Sequence, residues 1–129
     1  EANDQIACLA MIETPEGIQN VEEIVTTPGL TGVYIGPSDL ALALGLPAYG
    51  DQPQEEHLET VKHILATCKK HGVVSGMHTS SLEYTKKYLD LGFNMVMLGS
   101  ETAFMMRTAS KELAEAKGTL EEVKESTGY

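Results

Sequence analysis

The best candidates for chemistry in this sequence are two acidic residues, each of which lies just past the end of a hydrophobic run. Glu13 follows the apolar run Ile6–Ile12, and Asp39 ends the turn 36–39 that follows Val33-Tyr34-Ile35. Two carboxylates with water or substrate oxygens form the oxygen-rich coordination that Mg²⁺ or Mn²⁺ prefers. The pattern therefore indicates a divalent-metal site. It leaves open a simpler interpretation, in which Asp39 caps a helix and Glu13 is an acid ahead of the next helix.

The turn Gly36-Pro37-Ser38-Asp39 is also a candidate substrate site. The amides of Ser38 and Asp39 are predicted at a helix start, where N–H groups favour anions, so the carboxylate of a 2-oxo acid fits there. A metal chelated by the same acid would polarise its ketone and stabilise an enolate. We therefore expect Gly36, Pro37, Ser38 and Asp39 to bind substrate.

Histidine supplies one further candidate for a substrate contact. His78 directly follows another apolar run, and we expect it to line the pocket, with a structural role as the alternative. Three other histidines lie on or beside one predicted helix and lack the paired spacing of zinc ligands. For these we predict surface or helix-end roles: His57, His63 and His71.

Four strand-then-helix units position these residues. Apolar runs at 6–12, 32–35, 73–77 and 93–98 predict strands, and those without alternation are typical of strands buried on both faces. Helical patterns follow at about 14–25, 40–45, 54–71, 80–91 and 101–116. This alternation predicts an α/β fold with parallel strands and right-handed crossovers. A small doubly wound sheet and half of an eight-stranded (β/α) barrel remain as alternatives, and both place function at the C-terminal strand ends.

Composition narrows the class of protein. The chain has 129 residues, 42% of them hydrophobic, and a net charge of −10, which argues against a nucleic-acid binder. No run approaches the roughly 18 apolar residues of a membrane span. We predict that Cys8, in a buried strand, and Cys68, on a helix face, are free thiols in a reducing compartment, the cytoplasm. Because the sequence begins without Met and reaches a strand within a few residues, we expect it to be part of something longer or trimmed.

Several motifs together resemble one enzyme family. They are Met11-Ile12-Glu13-Thr14, Gly36-Pro37-Ser38-Asp39-Leu40-Ala41 followed by Gly45, Lys87-Tyr88-Leu89-Asp90-Leu91-Gly92 and Val96-Met97-Leu98-Gly99. With them the chain closely resembles the HpcH/HpaI aldolase family from about Ile6 to Ala114. These are class II, metal-dependent pyruvate aldolases that cleave or form 4-hydroxy-2-oxo acids.

The resemblance implies a (β/α)₈ TIM barrel of which this chain is the second half, strands five to eight. It implies that Glu13 and Asp39 bind Mg²⁺ or Mn²⁺, with Co²⁺ as a further alternative. Pyruvate then chelates the metal, its carboxylate meets the amides of Ser38 and Asp39, and cleavage proceeds through a metal-bound pyruvate enolate. Two departures stand out: His78 replaces a residue that is often aliphatic, and Glu101 one that is often Asp.

The resemblance also implies an incomplete site. The family's catalytic histidine base and the arginine that contacts the pyruvyl oxygen come from the first half of the barrel, so we expect no catalytic residue here. We predict a half-barrel domain over residues 1–117 and a tail with a short helix over 118–129. A half barrel exposes strand edges and apolar surface, so we expect a homo-oligomer or pairing with a missing N-terminal half.

The predicted function is therefore a fragment or truncated form of a divalent-metal-dependent aldolase, a carbon–carbon lyase. Its partners would be pyruvate or another 2-oxo acid and an aldehyde, with no nucleic acid and no membrane. Two alternatives stay open. One is a non-catalytic metal- or 2-oxo-acid-binding remnant or self-association module, and the other is a citrate-lyase-like enzyme acting on acyl-thioesters.

Overall fold

One parallel sheet organises the chain. The computed structural model describes residue 2 and residues 4–118. The strands are β1 Leu9–Met11, β2 Gly32–Ile35, β3 Val74–Met77 and β4 Met95–Val96. The helices are α1 Pro15–Gln19, α2 Val21–Val25, α3 Pro37–Ala43, α4 Glu55–His71, α5 Leu82–Leu91 and α6 Glu101–Ala116. The predicted α/β class with parallel strands is confirmed, whereas the short helix predicted in the tail lies outside the described residues.

The strand order decides between the two predicted architectures. Each strand pairs in parallel with the next one along the chain, in the order β1-β2-β3-β4. In a doubly wound sheet the strand order reverses at a switch point. When each new strand is instead added on the same side of the previous one through a right-handed crossover, every helix lies on the same face of the sheet. The described sheet therefore has the winding of a barrel segment.

The core lies between the sheet and the helices on that face. Val33 and Ile35 of β2 and Met77 of β3 are fully buried, and they pack with apolar residues of α4. Ile35 is paired with Met77 in the register, so the two side chains point the same way. Each fully buried side chain of this size stabilises the fold by about 1.5–3 kcal/mol. The helix residues of this core are Val21, Val25, Leu40, Val61, Ile64, Leu65, Cys68 and Tyr88.

The other side of the sheet is uncovered in the described residues. Met11 pairs with Tyr34, Tyr34 with Gly76, and Gly76 with Met95, so these residues share one side. Met11 is 54% and Met95 39% exposed. We call the side chains of Leu9, Met11, Tyr34 and Met95 the open face. The predicted burial on both faces was therefore wrong for β1, because among the described residues no second layer covers this side.

Other large apolar residues are also exposed. α6 has no buried residue, and Met105 and Met106 are 70% and 64% exposed. Met95, Met105 and Met106 therefore lie outside the described core. Both cysteines are free, but Cys8 is exposed rather than buried, because it precedes the short first strand.

Local hydrogen bonds explain where the predicted element boundaries failed. The helix predicted over 14–25 divides at Asn20, which has φ −102° and ψ 14° and whose side-chain amide donates to the Glu16 carbonyl. Ser81 caps α5, because its hydroxyl accepts a hydrogen bond from the Tyr84 amide. Thr14 caps α1, with its hydroxyl 3.0 Å from the Gly17 amide nitrogen.

The remaining boundary differences lie at the sheet edges and at α3. The strands predicted over 6–12 and 93–98 shorten to Leu9–Met11 and Met95–Val96. These strands have a hydrogen-bonded neighbour on one side only, so their ends leave the ladder early. α3 begins at Pro37, ahead of the predicted helical pattern. Among the described residues no helix is both long and apolar enough to cross a membrane.

Candidate functional site

The predicted site residues lie together at the C-terminal edge of the sheet. Ladder hydrogen bonds continue past the strands, since the Ile12 amide donates to the Tyr34 carbonyl and the His78 amide to the Ile35 carbonyl. Side chains alternate along a strand, so Glu13, two residues after Met11, returns to the side of the open face. His78, two residues after Gly76, does the same. The fold therefore brings both side chains to one side of the same edge.

Glu13 lies against the start of α3. A Cβ atom added to Gly36 would collide with Oε2 of Glu13 and lie 3.3 Å from Cε of Met11. Gly36 has a φ of −89°, which any residue can adopt. Glycine is therefore needed here for space, and the space is taken by the carboxylate of Glu13.

One oxygen of the Glu13 carboxylate has no hydrogen-bond partner among the described residues. This oxygen, Oε2, is buried. Burial raises the pKa of Glu13, and the negative charge of Asp39 raises it further. A cation between the two carboxylates would reverse both effects, because it compensates the buried charge and screens the repulsion. The arrangement of Glu13 and Asp39 therefore fits a divalent cation.

Asp39 does not occupy the capping position of α3. Gly36 is the N-cap of α3 and Pro37 its first residue, so Asp39 is the third residue of the helix. An N-cap side chain must precede the first turn, which removes the capping interpretation of Asp39. The Asp39 side chain is exposed. An electrostatic interaction with the helix dipole remains compatible with this position.

The pair does not form a complete set of ligands by itself. Within the described residues no group of three or more His, Cys, Asp and Glu side chains could hold a metal. Two carboxylates leave the other octahedral positions to water and substrate oxygens, which is how Mg²⁺ is commonly bound. The donor set therefore fits Mg²⁺ or Mn²⁺ better than a structural zinc.

His78 contacts a residue that the sequence did not single out. The Tyr34 hydroxyl lies 3.3 Å from Nδ1 of His78, and the two rings meet edge to face at 85° with centroids 6.3 Å apart. Burial raises the pKa of Tyr34. Tyr34 could have been identified, since it lies two residues before Gly36 and so points to the same side of β2.

The irregular connection between α3 and α4 contacts the segment that carries His78. Asp51 accepts a hydrogen bond from the Ser80 amide at 2.9 Å. Gln52, only 1% exposed, donates to the Pro47 carbonyl at 2.7 Å, which is a bond within the connection. The Asp51 bond therefore holds the chain just after β3, and the Gln52 bond stabilises the connection that carries Asp51.

The surface role predicted for His57 was wrong, although the residue does lie near a helix end, in the first turn of α4. Its side chain is 0% exposed, and Nε2 lies 3.2 Å from the Pro37 carbonyl oxygen. The sequence did contain a signal, because His57 precedes Val61, Ile64 and Cys68 at the spacing of one helix face. His71 does lie at a helix end, where its Nε2 is 2.7 Å from Oε1 of Glu22, and His63 is exposed.

Comparisons with known proteins identify the family. Residues 1–108 match the family model described as HpcH/HpaI aldolase/citrate lyase. The 5-keto-4-deoxy-D-glucarate aldolase of Klebsiella pneumoniae is 38% identical over 116 residues, which are 90% of this chain and 44% of that protein. The hydroxypyruvate/pyruvate aldolase of Paraburkholderia phytofirmans is 32% identical, with the same two coverages.

A solved structure agrees in fold. The crystal structure of an HpcH/HpaI aldolase/citrate lyase family protein from Burkholderia cenocepacia superposes with a TM-score of 0.81 at 28% identity, over 90% of this chain and 44% of that one. This chain thus spans less than half the length of these relatives, and the predicted resemblance to half of a (β/α)₈ barrel is confirmed. The family-model match over most of the sequence shows that the chain belongs to the HpcH/HpaI aldolase/citrate lyase family.

Proposed function

We propose that this chain supplies the metal- and pyruvate-binding part of a divalent-metal-dependent aldolase that cleaves or forms 4-hydroxy-2-oxo acids. The observation that carries the proposal is the buried, unpartnered Oε2 of Glu13 beside the charge of Asp39. Relatives named as aldolases, one of them for pyruvate, support the same class of reaction.

Each residue of the edge has a distinct role in this proposal. Glu13 and Asp39 hold Mg²⁺ or Mn²⁺, which would supply Lewis acidity at the ketone oxygen of the substrate. The first-turn amides of Ser38 and Asp39 bind the substrate carboxylate, and the dipole of α3 favours its negative charge. Gly36 leaves the space that the Glu13 carboxylate fills, and Pro37 fixes the first turn.

His78 and Tyr34 are polar side chains beside the proposed metal site, on the side of the open face. Their hydrogen bond orients the imidazole at the end of β3, on the side of the open face. The Tyr34 hydroxyl can donate to Nδ1 of a neutral His78, which leaves Nε2–H as a donor. We infer that this donor contacts the aldehyde part of the substrate, where an aliphatic residue would offer none.

Catalytic turnover is proposed to need a second set of residues. The resemblance assigns the proton-transferring histidine and an arginine to the other half of the barrel. The open face and the edges of β1 and β4 are the surfaces against which such a half would pack. A second copy of this chain or an N-terminal half is the proposed partner.

The test combines metal binding with activity. Mn²⁺ binding to the 129-residue chain is measured by electron paramagnetic resonance, and turnover is measured with pyruvate, an aldehyde and Mg²⁺ or Mn²⁺. Asp39→Asn should weaken Mn²⁺ binding at least about tenfold, because even the loss of a residue that only supports a ligand commonly costs that much. Asp90→Asn, which changes an exposed carboxylate on α5, is the matched control and should leave binding unchanged.

The outcomes separate the candidate functions. Turnover that disappears with EDTA and in Asp39→Asn, with the chain alone or after addition of the N-terminal half of a related aldolase, supports the aldolase. Mn²⁺ binding that depends on Asp39, with no turnover in either case, supports the non-catalytic binding module. Equal Mn²⁺ binding by Asp39→Asn and the unchanged chain would contradict the proposed site.

A further inference from the structure

We propose that His57 is a positioning residue of this site, holding the first turn of α3 so that Asp39 faces Glu13. The inference rests on the proposed function. It assigns a role to a side chain that lies on α4, outside the turn and the strand ends that form the site itself.

The geometry links His57 to the turn 36–39, which contains Asp39 and contacts Glu13. His57 is the third residue of α4, fully buried, and its Nε2 lies 3.2 Å from the carbonyl oxygen of Pro37. Pro37 is followed two residues later by Asp39 and preceded by Gly36, which packs against Glu13. One hydrogen bond therefore connects the first turn of α3, which contains Asp39 and contacts Glu13, to the long helix α4.

The chemistry of this bond determines the state of the imidazole. A carbonyl oxygen only accepts, so Nε2 carries the proton and donates. Burial lowers the pKa of His57, and the positive charge of Lys87 lowers it further, against the opposing effect of the Pro37 carbonyl. The ring is therefore neutral near pH 7, with Nδ1 unprotonated.

Stability alone does not explain a histidine at this position. Nδ1 is buried and has no partner within the described residues. Leaving a buried acceptor unpaired is unfavourable, so an apolar side chain of similar volume would fill the site with no such cost. What the histidine adds is a directed bond, and its direction is toward the first turn of α3.

α3 needs such an anchor because it has few others. It contains seven residues, of which only Pro37, Leu40 and Ala41 are buried. An isolated helix of this length is unstable in water, so its orientation depends on its tertiary contacts. Loss of the His57 bond should therefore let the first turn move while the core formed by α4 stays intact.

The experiment compares two replacements of His57. His57→Leu keeps apolar volume and removes the donor, whereas His57→Gln places a side-chain amide N–H near the former Nε2. The matched control is Tyr88→Phe, which removes a buried, unpartnered hydroxyl from α5. For each full-length variant, Mn²⁺ affinity and amide hydrogen exchange of the metal-free chain are measured.

His57→Leu should weaken Mn²⁺ binding by about tenfold, at the lower end of the effects of residues that support metal ligands. It should also speed exchange at Leu40 and Ala41, while amides of α5 keep their protection. His57→Gln should restore most of the affinity and of the protection, and Tyr88→Phe should change neither.

The results distinguish failure of this inference from failure of the proposed function. If His57→Leu leaves α3 exchange unchanged, or if Gln fails to restore what Leu removes, His57 does not position the turn. If the unchanged chain binds no Mn²⁺ while His57→Leu speeds amide exchange in α3 but not in α5, the positioning role of His57 is supported and the proposed metal site is contradicted.

Discussion

Replacing Glu13 by Gln should stabilise the metal-free chain and abolish its metal binding. In the structure the Glu13 carboxylate has a buried, unpartnered oxygen, and the charge of Asp39 raises its pKa further. The amide of Gln is neutral and nearly the same shape, so both unfavourable effects are reduced. The same neutral group is a much poorer ligand for Mg²⁺ or Mn²⁺ than a carboxylate.

The size of the stabilisation follows from the repulsion between the two carboxylates. At about 5 Å, the spacing of neighbouring parallel strands, two like charges repel by roughly 0.8 kcal/mol in water. Asp39 is exposed, so the dielectric of water is the appropriate one. With the burial of Oε2 added, the gain is about 1 kcal/mol, or about 4 °C in melting temperature for a domain of this size.

The gain should depend on pH in a defined direction. Because the folded pKa of Glu13 lies above its ordinary value of 4.5, the folded chain binds the proton more tightly than the unfolded chain. The unchanged chain therefore loses stability as pH rises from that value through the folded pKa. Glu13→Gln does not titrate, so its advantage should be absent near pH 4 and fully developed at pH 7.

The assay is thermal unfolding at both pH values, with Mn²⁺ titrations at pH 7. Glu16→Gln is the control, because it removes an exposed acid three residues away, in the first turn of α1. It should leave Mn²⁺ affinity unchanged and slightly lower the melting temperature through loss of a favourable dipole interaction. A lower melting temperature for Glu13→Gln at pH 7, or unchanged Mn²⁺ binding, would refute the reasoning.

Three further predictions concern the same edge of the sheet and the open face. Gly36→Ala should destabilise the chain by about 1–3 kcal/mol and weaken Mn²⁺ binding, because the new Cβ would displace Oε2 of Glu13. An unchanged melting temperature of this variant in calorimetry would contradict the prediction. Mn²⁺ affinity should fall as pH is lowered, because protons compete with the cation for Glu13, whose pKa lies above its ordinary value of 4.5. A titration that stays flat from pH 7 down to pH 4.5 would contradict Glu13 as a ligand. Light scattering should give a mass above the 13.9 kDa of one chain, since the open face and the strand edges are uncovered; a stable monomer would rule out this self-association.

The sequence by itself determined the local structure and the identity of the candidate ligands. Unbroken apolar runs and helical periodicity depend on neighbouring residues, so the parallel strands and α4 were predicted. Gly72, with φ 67°, ends that helix, because glycine tolerates the left-handed conformation. Glu13 was identifiable because it directly follows a hydrophobic run, and Asp39 because it ends the turn after another.

Only the tertiary structure decided which side of the sheet is covered and what holds the site in place. Strand order depends on crossovers between distant segments, so the sequence pattern left the doubly wound sheet and the barrel segment equally open. Burial of His57 against Pro37, and of Oε2 of Glu13 against Gly36, joins residues that are 20 or more apart along the chain. Helical spacing indicates that His57 is buried, but the partner in each of these contacts leaves no periodic signal, because it depends on how distant segments pack and not on the order of neighbouring residues.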